Sequence, residues 1–284
     1  MDSTTSKRPS PFLRGLSAGA HDRARKTLKA LAAASLLTLL ALLVSSPPAT
    51  ADGLPDTIER IKPSVVSIAT HQPSRSPRAK YLATGFVVGD GRLVVTNHHV
   101  IPASLDHANR EQLVVVSGEG RDTSIHSAEL VAHSENDDLA LLRIAGPALP
   151  ALRLGSSDTV REGEQLAFTG YPIGMVLGTY PATHRATVAA HTPMAITARR
   201  ASELSEARIR QLRAGAPMVF QLDATAYPGN SGSPVYRIES GEVVGVINQV
   251  FVQGGREAAV GHPSGISYAV PADRIRPLLA SYRE

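Results

Sequence analysis

Ala226-Tyr227-Pro228-Gly229-Asn230-Ser231-Gly232-Ser233-Pro234 is a turn of small and polar residues set between two apolar runs. Met218-Val219-Phe220-Gln221-Leu222 precedes it; Val235-Tyr236 and then Val243-Val244-Gly245-Val246-Ile247 follow it. Both flanks have the β-branched and aromatic composition of buried strands. The glycines of the turn permit φ > 0 and close approach of the backbone to a ligand. That suits a displayed nucleophile at Ser231, with neighbouring backbone N–H groups pointing outward as anion donors. The same residue types also build ordinary hairpin turns, so the rest of the chain decides.

Working outward, the text is mostly β. Ser64–Ala69, Thr84–Val88, Leu93–Thr96, Gln112–Ser117, Ile125–His133 and Leu139–Ile144 read as strands, separated by turn signals such as Gly89-Asp90-Gly91. Gly146 to Gly155, with Pro147 and Pro150, reads as a link, after which strands resume at Gln165–Thr169, Thr187–Ala190, Val219–Leu222, Val243–Val250 and Gly265–Val270. Many short strands at this spacing indicate an all-β sandwich or barrel. Asp52 to Pro63 reads as a short leading helix, with Leu54, Ile58 and Ile61 at helical spacing, and Pro271-Ala272-Asp273 opens a short amphipathic helix carrying Ile275, Leu278 and Leu279. Ala201 to Ala214, rich in Glu and Arg with a thin apolar edge of Leu204, Ile209 and Leu212, is expected to be an inserted surface helix.

The 284 residues are 43% hydrophobic and 19% charged, which describes a globular chain with an ample core. Seven of the 29 Lys/Arg and two of the 25 Asp/Glu fall in residues 1–51, leaving 22 basic against 23 acidic residues in 52–284. The net charge of +4 is therefore a property of the leader, and nucleic acid is not an expected partner. In that leader Arg23, Arg25, Lys26 and Lys29 precede an uncharged apolar run from Ala30 to Val44, followed by Ser45-Ser46-Pro47-Pro48 and the small-x-small Ala49-Thr50-Ala51. The pattern predicts a signal peptide over 1–51 and export of 52–284 to the periplasm or beyond. At 15 residues, Ala30 to Val44, the run is short of the roughly 20 that span a bilayer. A retained anchor, facing the remainder outward, is the alternative. There is no cysteine, which excludes a thiol nucleophile and thiolate metal sites.

Polar residues stand where strands end. His98 and His99 follow an apolar strand, and only one of two adjacent side chains can serve a given side of the chain. Their spacing is not that of a helical zinc pair, no H-E-x-x-H occurs, and neither a metal nor another cofactor is expected. Asp137 and Asp138 precede the strongly apolar Leu139-Ala140-Leu141-Leu142, a setting for a partly buried acceptor. With Ser231 these supply a base, an orienting carboxylate and a nucleophile in the chain order His, Asp, Ser, whereas α/β-hydrolases run Ser, Asp, His. The hydrolase elbow G-x-S-x-G fails too, because Ser233 takes its second glycine.

The chain resembles the HtrA (Deg) branch of the chymotrypsin-like serine proteases. Thr84-Gly85-Phe86, Thr96-Asn97-His98-His99-Val100-Ile101, Asp138-Leu139-Ala140-Leu141-Leu142, Gly170-Tyr171-Pro172-Ile173-Gly174 and Gly229-Asn230-Ser231-Gly232 occur in the family's order across about 58–275. The resemblance implies two six-stranded β-barrels, one over about 58–148 and one over about 155–270, with the active site between them. It selects His99 as the base, because the family's histidine directly precedes Val, and Asp138 as the carboxylate, because the aspartate directly precedes the strand. Ser231 is then the nucleophile, and the Gly229–Asn230–Ser231 segment forms the oxyanion hole through the amides of Gly229 and Ser231. Substrate is expected along Val246, Ile247, Asn248 and Gln249. Thr225, six residues before Ser231, would lie near the base of the specificity pocket; lacking an acid there, the pocket should favour small or medium apolar side chains. Asn230 replaces the acid that digestive relatives use in activation. Only 53 residues follow Ser231, so the family's PDZ module is not expected here.

The function expected is thus an exported serine endopeptidase acting on unfolded or misfolded polypeptides, with a homo-oligomer as a further partner because relatives often form trimers. The alternative is a catalytically silent, protease-like chaperone or binding module; an esterase shares the chemistry but lacks a lipase-like apolar lid.

Overall fold

The computed structural model describes residues 25–29, 31, 53–172, 178–194, 217–250 and 265–283. The charged stretch 201–214 lies outside the described residues. The chain separates into two units, Met1–Ala51 and Asp52–Glu284. In the first, residues 25–29 and 31 are helical; among the described residues no helix is long and apolar enough to cross a membrane.

The second unit lays down twelve strands among its described residues, all paired antiparallel except for one isolated bridge between Leu154 and Val243. β1 (Val65–His71), β2 (Ala79–Val88), β3 (Leu93–Thr96), β4 (Gln112–Glu119), β5 (Asp122–Ser134) and β6 (Leu139–Ile144) close a barrel in the order β1-β2-β3-β6-β5-β4. β7 (Gln165–Gly170), β8 (Ala182–Pro193), β9 (Met218–Asp223), β10 (Pro234–Arg237), β11 (Val243–Val250) and β12 (Ile266–Pro271) close a second barrel in the order β10-β11-β12-β9-β8-β7. This is the chymotrypsin-like double barrel.

Period-2 alternation sorts the strand residues between two cores. Val87 of β2, Val94 of β3 and Leu142 and Ile144 of β6 fill the first barrel with Val66, Ile68 and Val115. The alternate residues Phe86, Val88, Leu93, Val95, Leu139 and Leu141 face the other way, into a shared apolar cluster with Tyr236, Val243, Val246 and Val270 of the second barrel. Both faces of these strands are therefore buried over most of their length, which is why Leu93-Val94-Val95 of β3 and Leu139-Ala140-Leu141-Leu142 of β6 read as apolar runs rather than as alternating ones. Leu166, Phe168, Val188, Leu222, Val244 and Ile247 fill the second barrel.

Two short helices cover the shared cluster. Leu54–Ile61 buries Leu54, Thr57 and Ile61 at helical spacing. At the other end a 3-10 turn, Ala272–Arg274, leads into the helix Ile275–Arg283, whose Ile275 and Leu278 are buried. That helix reaches the first barrel, where the Arg143 guanidinium lies 5.7 Å from the centroid of the Tyr282 ring. Asp273 fastens its start: the carboxylate accepts from the Ser157 amide at 2.6 Å and from Arg276 Nε at 2.9 Å. Burial raises the Asp273 carboxyl, but the hydrogen bonds from Arg276 and Ser157 outweigh it and hold the group below its ordinary value.

Candidate active site

The base and carboxylate meet because β3 and β6 are neighbours. Thr96, the last residue of β3, pairs with Ala140 of β6, so the residues just after β3 and just before β6 face each other. His99 sits in the 3-10 turn His98–Val100. Its Nδ1 lies 2.5 Å from Asp138 Oδ2, and its amide donates to Asp138 Oδ1 at 2.8 Å. Both carboxylate oxygens thus hold one residue, which fixes backbone and ring together. The Asp138 carbonyl accepts in turn from Asn97 Nδ2 at 3.0 Å and from the His98 amide at 3.1 Å. Asp138 adopts φ of 51°, a left-handed conformation that Asp tolerates better than most residues and that these contacts over-determine. Asp137 does not share in this: it pairs with Ser134 Oγ at 2.9 Å and lies 3.9 Å from Arg274 Nε. The histidine side chain is 50% exposed and the carboxylate 20%, so the imidazole has an open face.

Ser231 comes from the second barrel, on a turn clamped from both sides. The Gly232 amide donates to the Ile247 carbonyl at 2.8 Å and the Ile247 amide to the Ser233 carbonyl at 2.9 Å, which stitches the turn to β11. From the first barrel, the Thr84 amide donates to the Ser231 carbonyl at 2.9 Å and Thr84 Oγ1 to the Gly229 carbonyl at 2.8 Å. Thr84 Oγ1 also accepts from the Tyr171 amide at 2.9 Å, and the Thr84 carbonyl accepts from Thr96 Oγ1 at 2.7 Å. Sequence reading placed Thr84 in a family block and assigned it no role, because all its second-barrel partners are distant in the chain. Thr84 is fully buried, and the signal open to sequence reading was its place in the Thr84-Gly85-Phe86 block.

Ser231 Oγ itself donates to the Asn248 carbonyl at 3.3 Å. Asn248 is the extra residue of a bulge in β11, between Ile247, which pairs with Ala269, and Gln249, which pairs with Tyr268. Among the described residues no hydrogen bond joins Ser231 to His99. The structure therefore brings His99 and Asp138 into contact and leaves the serine hydroxyl on its own barrel.

For the oxyanion segment the geometry separates three residues that the sequence treated together. The Asn230 amide donates to the Tyr227 carbonyl at 3.0 Å, and its side chain is fully buried with neither amide atom partnered. Asn230 is thus not an outward donor. The amides of Gly229 and Ser231 have no acceptor among the described residues. Gly229, in the turn between β9 and β10, has φ of 101°, a conformation that favours glycine.

The expected substrate residues also divide. Val246 and Ile247 are fully buried, and their edge is occupied by Pro234, which pairs with Val246, and by the Gly232 and Ser233 backbone. From Asn248 onward β11 has β12 on one side and no described strand on the other. Thr225 is half-buried between the buried Ala224 and Ala226; the Ala226 amide donates to Ser267 Oγ at 3.0 Å, and that hydroxyl donates to the Ala224 carbonyl at 2.7 Å. Beside this segment, sequence reading missed His184. Its ring stacks on Phe168 at 4.9 Å and lies 6.4 Å from Tyr227, with Nε2 buried and unpartnered, and desolvation lowers its pKa.

Two closed barrels, with a His–Asp pair on one and a glycine-flanked serine on the other, define the class of the chymotrypsin-like serine proteases. The chain belongs to the trypsin-like peptidase domain family, whose domain matches residues 83–246, and within it the domain is HtrA-like. It is 33% identical over 229 residues to "Serine protease HTRA1A" of Danio rerio, covering 79% of this chain and 40% of that protein. It is 29% identical over 224 residues to "Probable periplasmic serine endoprotease DegP-like" of Ectopseudomonas mendocina (strain ymp), covering 78% of this chain and 40% of the relative. The chain thus spans about 40% of the length of these curated relatives. The solved structure "HtrA-type protease AlgW with decapeptide" shares the fold, with a TM-score of 0.58 at 23% identity over 81% of this chain and 67% of the other.

Proposed function

We propose that the chain is a serine endopeptidase that hydrolyses unfolded or misfolded polypeptides through Ser231, His99 and Asp138. The observation that carries this reading is the two-point grip of Asp138 on His99, through Nδ1 and the backbone amide, with the ring's other edge exposed. An acceptor at Nδ1 fixes the imidazole tautomer that leaves Nε2 free to take a proton. In the reaction the Ser231 hydroxyl turns from the Asn248 carbonyl to His99, gives up its proton and attacks the peptide carbonyl. His99 then delivers that proton to the leaving amine, while Asp138 stabilises the imidazolium. The Gly229 and Ser231 amides receive the oxyanion, a contribution of about 3–4 kcal/mol per donor.

An extended peptide adds its backbone to β11 beyond the bulge, from Asn248 to Val250, which is β-strand addition to a free edge. That a relative of this fold is known with a decapeptide supports a polypeptide ligand. Residues 1–51 are read as an export signal, in keeping with the word periplasmic in the name of the DegP-like relative. The test is hydrolysis of a disordered protein such as casein by the full chain beside Ser231→Ala. The wild type should cleave and the variant should not; equal turnover in both removes the assignment. Loss of cleavage in both, with suppressed aggregation of an unfolded protein, would favour a binding module, which the Ser231–Asn248 contact also suits.

A further inference from the structure

We propose that His98, His133 and Glu135 form a binding site for a divalent transition-metal ion of the zinc class, beside the candidate active site and separate from it. Strand order brings the three together. His98 lies two residues beyond the β3 end, and its amide is fixed on the Asp138 carbonyl at 3.1 Å. His133, near the end of β5, pairs with Ala140 of β6, the same residue that pairs with Thr96 of β3. His133 and Thr96 thus flank one position of β6, and His98 reaches over the start of that strand. Glu135 follows His133 by two residues, in the turn that leads to Asp138.

The resulting geometry is that of a donor set with its centre left open. The His98 and His133 rings stack with centroids 4.5 Å apart and planes 9° from parallel. One ligand atom from each of the three residues lies within 4.8 Å of the others. Zinc bonds of 2.0–2.1 Å in tetrahedral geometry place ligand atoms roughly 3.3 Å apart, so closing on an ion needs side-chain turns and no backbone movement. His133 and Glu135 are exposed and His98 half-buried, so those turns are free. Neither imidazole has a hydrogen-bond partner among the described residues, and no cation neutralises Glu135 there. Two nitrogens and one carboxylate suit zinc, cobalt or nickel rather than calcium or magnesium, which take all-oxygen shells. The fourth position falls to water, as the ligands sit at the surface. Lacking second-shell partners to orient the rings, the site should bind at micromolar rather than nanomolar strength.

Sequence motifs could not show this site. Zinc signatures rest on fixed spacings along one helix or loop, whereas here the ligands come from two segments joined only by strand pairing. The test uses the full chain without a histidine tag, stripped with a chelator and titrated with zinc by calorimetry and with cobalt by visible absorption. One ion per chain, a micromolar dissociation constant and an intense cobalt d–d band are expected. Glu135→Gln, an exposed change that keeps volume, should weaken zinc about tenfold or more; His133→Ala should abolish the band. His107→Ala, in a separate turn, should leave both signals unchanged. Absence of saturable one-to-one binding below millimolar zinc overturns the proposal, as does binding undiminished by both Glu135→Gln and His133→Ala. Because the readout is binding, it stands or falls independently of proteolysis and of Ser231.

Discussion

Thr84 Oγ1 donates to the carbonyl of Gly229, 145 residues further along the chain, at 2.8 Å. The same oxygen accepts from the Tyr171 amide, so one buried hydroxyl of the first barrel orders two loops of the second. It thereby fixes the turn on which Ser231 rides relative to the strand that leads to His99. Thr84→Val removes both bonds at constant shape and leaves a part-buried carbonyl and a buried amide unpaired, at about 1–3 kcal/mol. Denaturant melts should show that loss, and casein turnover should fall with it. Thr84→Ser, which keeps the hydroxyl, should restore most of both. A Val variant as stable as wild type would show that the clamp carries no weight.

Asp138 holds His99 at two points, the ring Nδ1 and the backbone amide, and Asp138→Asn tests the contact at Nδ1. An amide can still accept from the His99 backbone, but its NH2 group then faces Nδ1 and favours the wrong tautomer. In the proposed mechanism kcat should drop about ten-thousand-fold while KM changes little. Thermal stability should fall far less than activity, since the backbone contact survives.

The barrels were legible because their strands obey local rules. β6 is read to the residue, since Leu139-Ala140-Leu141-Leu142-Arg143-Ile144 is bounded by acids and by Gly146. β8 is not: Thr187–Ala190 is the part with apolar residues, whereas the strand runs from Ala182 to Pro193. Its first half, Ala182-Thr183-His184-Arg185, gains its extended form from pairing with Gly170 through Ala167, which no local pattern encodes. The same limit applied to the site. His99, Asp138 and Ser231 stand beside turn and strand signals, while Thr84 and the bulge at Asn248 acquire meaning only from partners brought by the fold. The pairing of Val246 with Pro234 and of Ile247 with the serine turn likewise comes from the fold and from no local pattern.

Ser233 fits only because its neighbour has no side chain. A Cβ on Gly170 would come within 1.9 Å of Ser233 Oγ, and that hydroxyl is buried without a partner. An orphaned buried hydroxyl costs about 1–3 kcal/mol. Ser233→Ala should therefore stabilise the protein by about 1 kcal/mol in urea melts, with activity kept. Destabilisation would mean that the hydroxyl has a partner.

His184 gives the fold a predictable acid response. Burial lowers its pKa in the folded chain, so the unfolded chain binds the proton more readily. Above the unfolded value, about 6.5, both states are neutral and the stability is fully present. Below it the unfolded state gains a proton that the folded state refuses, and stability falls as pH falls. Urea midpoints should decline more steeply below pH about 6.5 in wild type than in His184→Phe, which has nothing to protonate. Parallel curves would assign the acid response elsewhere.

Gly232 and Gly163 share φ of 84°, which makes them a matched pair for separating backbone strain from collision. At Gly163 an added Cβ meets nothing within 4 Å, so Gly163→Ala should cost only the strain of a left-handed alanine, about 1 kcal/mol. At Gly232 the same Cβ would lie 2.1 Å from the Thr84 carbonyl oxygen and 2.5 Å from Thr96 Oγ1. Neither can yield, because the Thr84 backbone is bonded to Ser231 and the Thr96 hydroxyl to Thr84. Gly232→Ala must therefore push the serine turn away from the first barrel. It should cost several kcal/mol more than Gly163→Ala and abolish cleavage even in the fraction that stays folded. Equal melts for the two alanines would show that the barrels part at this point without penalty, and the positioning of Ser231 against His99 would then need another source.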